Sequence, residues 1–268
     1  MKNIFLASAT AIIILSACNR QSTAHDTTAD TNLATDTLKY EKKSEIFETT
    51  IIADYPTDNN SIVANSVREF ISEELGGTYN GPLENGDSLI KTYGEKIFST
   101  NVEELKDYCG ESTGTNFSTC EIKKGDETKK YVTYIVSQSN YMGGAHGMYS
   151  DKGVTFRKTD GRRFGYSVMK STQLTEFNEL LKEGLRDYFS EYKGEPINDE
   201  ELNEELIVCD DLENLPRPVS EPYITAKGVT FIYQPYEISY YAAGAPTFTV
   251  PYSKIKPFLM TSGRSYFD

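Results

Sequence analysis

The chain lacks tryptophan and has only two histidines and four cysteines among its 268 residues. A catalytic metal site usually takes two or more histidines, or one histidine with closely spaced carboxylates. His25 lies in a polar N-terminal segment, and His146 has no partner at such a spacing. Cys-x-x-Cys is also missing, which argues against zinc and thioredoxin-like redox sites. We therefore expect neither a metal nor a cofactor.

Positive charge is scarce. The chain has 27 lysines and arginines against 40 aspartates and glutamates, and its net charge is −13 at pH 7. Such a chain repels nucleic acid and anionic lipid. We expect no nucleic-acid partner, and a macromolecule steered to this protein by charge is expected to be basic.

The N-terminus predicts the compartment. The apolar run Ile4 to Leu15 follows Lys2 and is too short to span a bilayer, which is typical of a secretory leader. Leu15-Ser16-Ala17-Cys18 resembles a bacterial lipobox, in which Cys18 becomes the lipidated N-terminus. We expect residues 1–18 to be a lipoprotein signal peptide. The folded part would then be lipid-anchored to a bacterial membrane, outside the cytoplasm, in the cell envelope.

Residues 19–44 are polar, with Leu33 and Leu38 as the large aliphatic side chains, and predict a flexible tether. Three cysteines remain beyond Cys18. A Cys109–Cys120 disulfide would close a short polar loop that has little core of its own. Cys209 is then either a free thiol or the true partner of one of these two.

Hydrophobic periodicity predicts both helices and strands. Apolar residues recur at helical spacing from Ile62 to Leu75, and again from Leu174 to Tyr192. Strand-like runs surround Lys124-Gly125-Asp126, which we interpret as a hairpin turn, and short strands fill the final third. The sequence predicts an α+β fold in which antiparallel sheets pack with helices, in two closely associated subdomains.

Two loops are unusually rich in glycine and tyrosine. Asn140 to Gly147 holds three glycines and the histidine, and Tyr233 to Tyr241 holds four tyrosines. Glycine allows positive φ and close backbone approach, and tyrosine offers flat apolar area with a polar tip. The loops fit a recognition surface for sugar rings or a protein cleft. They also fit a structural corner, because many tyrosines serve a core.

Gly110-Glu111-Ser112-Thr113-Gly114 matches the Gly-x-Ser-x-Gly pattern of serine hydrolases. A nucleophile elbow needs a strand before it and a helix after it, whereas a helical segment precedes this one. We therefore do not interpret Ser112 as a nucleophile. Carboxylate pairs that could cleave glycosides stay open as an alternative, because one sequence does not show which two face each other.

The motifs of both loops carry a family resemblance. Tyr141 to Gly147, followed about eighty residues later by Gly228 to Ile238 and Tyr241-Ala242-Ala243-Gly244, resembles the paired DUF4163 and DUF3298 domains of PdaC-like and RsiV-like extracellular proteins. The resemblance places a DUF4163-like domain at 45–158 and a DUF3298-like domain at 159–268. The expected ligand-binding residues are Tyr141, Gly143, Gly144, His146, Gly147, Tyr236, Glu237 and Tyr241.

The resemblance implies a role in the cell envelope that involves peptidoglycan or an enzyme that attacks it. Relatives include lysozyme receptors and the non-catalytic regions of peptidoglycan deacetylases. This chain carries neither a deacetylase motif nor a sigma-binding segment, so we expect a non-enzymatic binding module for a lysozyme-like muramidase or a peptidoglycan glycan. An envelope hydrolase that uses carboxylates with His146, and a structural envelope component, are the alternatives.

Overall fold

The computed structural model describes residues 32–107, 116–170, 175–207 and 212–268, and the part from Asn32 to Asp268 is one compact unit. Among these residues no helix has the length and apolar character that a membrane crossing needs. The predicted leader with Cys18, the Gly110–Gly114 segment, Cys109 and Cys209 lie outside the described residues.

A five-stranded sheet of order β1-β2-β3-β4-β5 forms the larger layer. Its neighbours are antiparallel, as predicted, except β2 and β3, which are parallel. A parallel pair needs a crossover, and two helices supply it. The strands are β1 Thr35–Lys43, β2 Phe47–Pro56, β3 Asn116–Glu127, β4 Tyr131–Tyr141 and β5 Met148–Arg157.

Helices α1 (Ile62–Glu74) and α2 (Gly86–Asp107) form the crossover and share a core with one face of this sheet. The side chain of Ser61 accepts a hydrogen bond from the Ala64 N–H and caps α1. Apolar residues at helical spacing, such as Val67 and Ile71, are fully buried. The periodicity in the sequence therefore predicts this helix correctly.

The predicted tether is wrong over Thr35–Lys43, which forms edge strand β1. Leu38 and Tyr40 alternate with charged residues and pack against the core beneath α2, a period of two that the polar composition hides. The N–H of Leu33 also donates to the carboxylate of Glu127 at 2.5 Å. The chain is therefore fixed in place by residue 33.

A smaller three-stranded sheet of order β6-β7-β8 builds the second half of the chain. It shares a core with the long helix α3, whose Gly184 lies against the ring of Phe248. Asn198 caps the short acidic helix α4. The elements are α3 Thr175–Lys193, α4 Asp199–Glu205, β6 Tyr223–Thr225, β7 Gly228–Ile232, β8 Thr247–Val250, α5 Tyr252–Ile255 and α6 Thr261–Arg264. The α+β fold class is confirmed.

Two buried threonines join the two sheets. The backbone N–H of Ile224 in β6 donates to Thr155 Oγ1 at 2.8 Å, and Thr133 Oγ1 donates to the Ile224 carbonyl at 2.7 Å. The Thr155 hydroxyl then donates to Thr133 Oγ1, 2.7 Å away, which closes a ring of three hydrogen bonds. Beside these hydrogen bonds, Gly153 leaves room for the aromatic side chain of Tyr223. A Cβ at position 153 would lie 2.3 Å from atoms of that side chain.

The predicted Cys109–Cys120 disulfide is absent, because Cys120 carries a free, buried thiol. β3 begins at Asn116, so Cys120 lies in mid-strand and turns toward the core instead of toward a polar loop. Burial raises the pKa of the Cys120 thiol to about 11. The thiol is therefore protonated near neutral pH and a poor nucleophile.

The turn between β3 and β4 lies later than the sequence predicts. Lys124-Gly125-Asp126 belongs to β3, where the register shifts between Lys124 and Glu127 as in a β-bulge. The chain reverses at Thr128–Lys130, and the Thr128 N–H donates to the Tyr131 carbonyl at 2.9 Å. The predicted hairpin exists, with its turn shifted by a few residues.

The threonine ring yields a stability prediction. Thr155→Val keeps the side-chain volume but leaves the buried Ile224 N–H without its acceptor, so we expect a loss of about 1–3 kcal/mol, measured by urea denaturation. Thr49→Val is the matched control, since Thr49 Oγ1 is buried without a hydrogen-bond partner in the described part of the chain. Equal losses in the two variants would contradict the assignment.

Glu127 yields a pH prediction. Burial alone would raise the pKa of Glu127, but hydrogen bonds from Lys158, Leu33 and Lys124 outweigh it and lower this pKa below its ordinary value of 4.5. The resulting stability is present above pH 4.5 and is lost as the pH falls through the folded-state pKa. Urea midpoints between pH 7 and pH 3 should fall less steeply in Glu127→Gln than in wild type. Glu41→Gln removes an exposed ion-paired carboxylate, so its urea midpoint should fall with pH as steeply as that of wild type. The same fall in all three proteins would contradict the role assigned to Glu127.

Candidate functional site

The first loop of the candidate site joins β4 to β5. Gly143 and Gly144 have φ of 93° and 99°, values that favour glycine. Gly147 is needed for another reason, because a Cβ there would lie 2.7 Å from the carbonyl oxygen of Asn140. The Tyr141 hydroxyl donates to the Gly144 carbonyl at 3.0 Å. Together these residues shape the hairpin end that carries His146.

The second loop, between β7 and β8, begins with a tight turn. The Glu237 N–H donates to the Gln234 carbonyl at 2.9 Å, and Pro235 and Tyr236 are the central residues. Tyr236 has φ of 68°, the one positive φ found at a non-glycine residue in the described segments. A turn with proline first and positive φ second usually places glycine or asparagine where Tyr236 stands. This tyrosine is held in a strained backbone conformation.

The carboxylate of Glu237 stabilises this turn through two hydrogen bonds. One carboxylate oxygen accepts the Gln234 N–H at 2.7 Å, and the other accepts the Val219 N–H at 2.6 Å. The resemblance predicts Glu237 as a ligand contact, whereas in the structure both of its oxygens serve the backbone. Carboxylates that accept backbone N–H groups form strong hydrogen bonds, so the turn that presents Tyr236 is rigid.

Gln234 ties the second loop to the first hairpin. Its side-chain amide donates to the Asp151 carbonyl at 2.6 Å, and its side-chain oxygen accepts the Asp151 N–H at 3.2 Å. The side-chain amide of Gln234 thus forms the same kind of paired hydrogen bonds with β5 that the backbone of a neighbouring strand would form. Sequence analysis gives Gln234 no role, and no periodicity marks it.

Helix α3 supports the later part of the second loop, where Tyr241–Ala243 form a single 3-10 turn. The Tyr188 hydroxyl donates to the Ala243 carbonyl at 2.5 Å, and the Tyr192 hydroxyl to the Ala242 carbonyl at 3.4 Å. The sequence marks Tyr188 only as part of the inner face of a helix. Its spacing of four from Tyr192 places both on one side of α3.

The two loops meet in a group of four rings that we call the aromatic cluster: His146, Tyr149, Tyr236 and Tyr241. The imidazole of His146 stacks on Tyr241, with centroids 4.1 Å apart and planes at 21°. Tyr236 lies 5.4 Å from Tyr241, and Tyr149 meets Tyr241 edge-on at 5.8 Å. Residues about ninety positions apart in the chain therefore form one surface.

Hydrogen bonds fix the imidazole within the cluster. His146 Nδ1 lies 2.8 Å from the Gly147 carbonyl, to which the Tyr241 hydroxyl also donates at 2.8 Å. Nδ1 therefore carries the proton of the neutral ring, because a carbonyl only accepts. Nε2 is left to accept from the Tyr236 hydroxyl, 3.4 Å away. Burial, followed by Tyr241 and Asp151, raises the pKa of the Tyr149 hydroxyl, which stays neutral near pH 7.

Around the cluster lies an exposed apolar surface. Tyr236 is 48% exposed and Tyr240 is 63% exposed. Tyr192, bonded to the same loop, and Val219, held by Glu237, add further exposed apolar area. Exposed apolar groups gathered in one place indicate an interaction site more strongly than scattered ones do.

The predicted site residues have different places in this arrangement. His146, Gly147, Tyr236 and Tyr241 come together, as the sequence analysis requires of a single site. Tyr141, Gly143 and Gly144 shape the first loop, and Glu237 braces the second. In the described part of the chain no group of three metal-ligating residues forms a metal site. The arrangement offers ring faces and hydroxyl groups for stacking and hydrogen bonding.

Comparisons with known proteins agree on the family of the second half. Residues 167–253 match the model of DUF3298, a protein family of unknown function. No curated protein matches the chain. The DUF4163-like assignment of 45–158 stays a prediction.

Solved structures share the fold over most of the chain. A DUF3298 family member from Bacteroides fragilis has a TM-score of 0.61 and 19% identity, over 87% of this chain and 98% of its own. A DUF3298 family protein from Pseudomonas aeruginosa has a TM-score of 0.59 and 15% identity, over 88% of this chain and 97% of its own. These structures share the fold of this chain, and the match to the DUF3298 model covers residues 167–253.

Proposed function

We propose that this protein is a lipid-anchored cell-envelope lipoprotein, and that the aromatic cluster is a non-enzymatic binding surface for a lysozyme-like muramidase or a peptidoglycan glycan. The observation that carries the proposal is the stacking of His146 on Tyr241 across two loops from different sheets. Cys18 would carry the lipid and hold the folded part at the membrane.

The rings suit recognition of a cleft or a sugar. Tyrosine gives a large, rigid contact area at low entropic cost, and aromatic residues are enriched among the side chains that dominate binding energy. The exposed ring of Tyr236 has its centroid 5.4 Å from that of Tyr241 and 6.4 Å from that of His146, so the three rings form one surface. The loop is already braced by Glu237, Gln234 and Tyr188, so little ordering cost remains on binding.

The strain at Tyr236 supports a binding role independently of the exposed area. A non-glycine residue at positive φ costs of order 1–3 kcal/mol, and such residues concentrate at functional sites. Glycine or asparagine would satisfy the turn without this cost. Because Tyr236 is 48% exposed, burial of its side chain offsets little of the backbone strain. Contact with a partner explains a tyrosine at this position better.

Charge supports a basic protein partner. The net charge of −13 gives the protein a field that attracts a basic muramidase and speeds its association. The hydrolase alternative has no comparable support. The described partners of His146 are a carbonyl group and tyrosines, whereas a general base is usually oriented by a carboxylate.

Binding to lysozyme is the direct test. We expect the lipid-free chain from Asn19 onward to bind hen-type lysozyme in a titration, more tightly at low than at high salt, and to lower its muramidase activity. His146→Ala and Tyr241→Leu should each weaken binding about tenfold or more. Ile62→Asn, which changes an exposed apolar residue of α1, should not.

A parallel sedimentation assay with insoluble peptidoglycan separates the two ligand classes. Saturable binding to lysozyme alone identifies a muramidase partner, and binding to peptidoglycan alone identifies a glycan. Absence of binding to both would contradict the proposal. Turnover of peptidoglycan fragments that disappears in His146→Ala would establish the hydrolase alternative instead.

The strain at Tyr236 gives a second test that needs no assumption about ligand class. Asparagine tolerates positive φ, so Tyr236→Asn should be at least as stable as wild type in urea, with an expected gain of about 1 kcal/mol. The same variant should bind the partner at least tenfold more weakly. A variant that loses stability and keeps its binding would show that the ring serves the fold.

A further inference from the structure

A cleft at the opposite end of β4 from the loop that carries His146 concentrates positive charge on this acidic protein. The turn after β3, the turn between β6 and β7, and the C-terminal segment enclose about 400 Å³. Three lysines line it: Lys129, Lys130 and Lys227. A volume of this size accommodates a small molecule.

The three lysines are not neutralised by ion pairs. Neighbouring lysines do form ion pairs. Lys124 and Lys158 pair with Glu127, and Lys256 lies 3.6 Å from the Asp268 carboxylate. By contrast, no carboxylate of the described residues is within direct ion-pair distance of Lys129, Lys130 or Lys227, and the Asp268 carboxylate interacts with Lys130 only over a longer distance. Asp126, which lies in β3 just before the turn with Lys129 and Lys130, accepts the Ala226 N–H at 2.8 Å. Three lysines that make no direct ion pair with any described residue line one cleft and favour an anionic ligand there.

The backbone that carries these lysines is fixed. Thr128 Oγ1 accepts the Lys130 N–H at 3.1 Å, and the Lys130 carbonyl accepts the Lys158 N–H at 2.8 Å. The bond from Ala226 to Asp126 holds the β6–β7 turn, with Lys227, against the end of β3. The backbone positions from which the three lysine side chains extend are therefore fixed before any ligand arrives, which lowers the cost of binding.

The other wall of the cleft is aromatic. Tyr252 and Phe267 stack with centroids 4.2 Å apart and planes at 18°, and both line the cleft while remaining partly exposed. The Tyr252 hydroxyl donates to the Asp268 carboxylate at 2.9 Å, which fixes the ring. Aromatic faces pack against the apolar faces of rings such as sugars. Because the two rings cover one face of each other and Lys256 Nζ lies 5.3 Å from the Tyr252 centroid, the cleft combines ammonium groups for an anion with the outer side of an aromatic pair for the ring that bears it.

We propose that this cleft binds an anionic sugar, with a phosphate or carboxylate held by Lys129, Lys130 and Lys227 and the sugar ring placed on Tyr252 and Phe267. This site is independent of the aromatic cluster. It gives a protein of net charge −13 a local place for an anion. Hydrogen bonds between ammonium groups and anions are stronger than neutral ones, and several acting together provide selectivity over neutral sugars.

The test is a calorimetric titration of the full-length protein in detergent with glucose 6-phosphate, glucuronate, glucose and inorganic phosphate. We expect the two anionic sugars to bind at least about tenfold more tightly than glucose or inorganic phosphate. The triple variant Lys129→Ala/Lys130→Ala/Lys227→Ala should lose about tenfold or more of this affinity. The matched control, Lys91→Ala/Lys96→Ala/Lys106→Ala, removes equal charge from α2 outside the cleft and should bind as wild type.

Two variants of Tyr252 test the aromatic wall of the cleft. Tyr252→Leu should weaken binding of the anionic sugars, and Tyr252→Phe, which keeps the ring, should not. The proposal is overturned if no anionic sugar binds saturably or if both triple variants lose affinity equally. It is also overturned if inorganic phosphate binds as tightly as the sugar phosphate. Thermal melts without ligand verify that each variant is folded.

Discussion

The arrangement of this protein depends on a buried ring of three hydrogen bonds among Thr133, Thr155 and Ile224. It satisfies the backbone of β6 on the face of the larger sheet, where an unpaired N–H or carbonyl would be costly. Because β6 continues into β7, the ring also sets where the loop after β7 emerges. Gln234 then fixes that loop to Asp151 of β5, the strand whose hairpin carries His146. The aromatic cluster follows from the way the two sheets are joined.

Local patterns predict much of this fold, because they report contacts between residues that are close in sequence. Helical periodicity locates α1 and α3, Asn198 marks the start of α4, and glycines with tyrosines mark both loops of the candidate site. The meeting of His146 with Tyr241 is not predictable in this way. It depends on Thr133, Thr155 and Gln234, whose polar side chains act across long separations and carry no period.

The wrong predictions concern residues whose contacts in the fold are not visible in the local sequence pattern. The polar composition of residues 35–43 suggests a tether, yet two partly buried side chains at a spacing of two are enough to add an edge strand to an existing sheet. Nearness in sequence favours pairing Cys120 with Cys109, while the strand that contains Cys120 turns its thiol to the core. Strain at Tyr236 is equally hidden, since Pro235 indicates a turn but does not reveal that a tyrosine occupies the glycine position.

The central claim is that two distant loops form one rigid surface, and a double-mutant cycle on His146 and Tyr241 tests it most directly. The free energy of unfolding is measured in urea for wild type, His146→Ala, Tyr241→Ala and the double variant. Stacked rings 4.1 Å apart predict a coupling free energy of about 0.5–1.5 kcal/mol. Strictly additive losses would show that the two loops do not meet in solution, and would contradict the account.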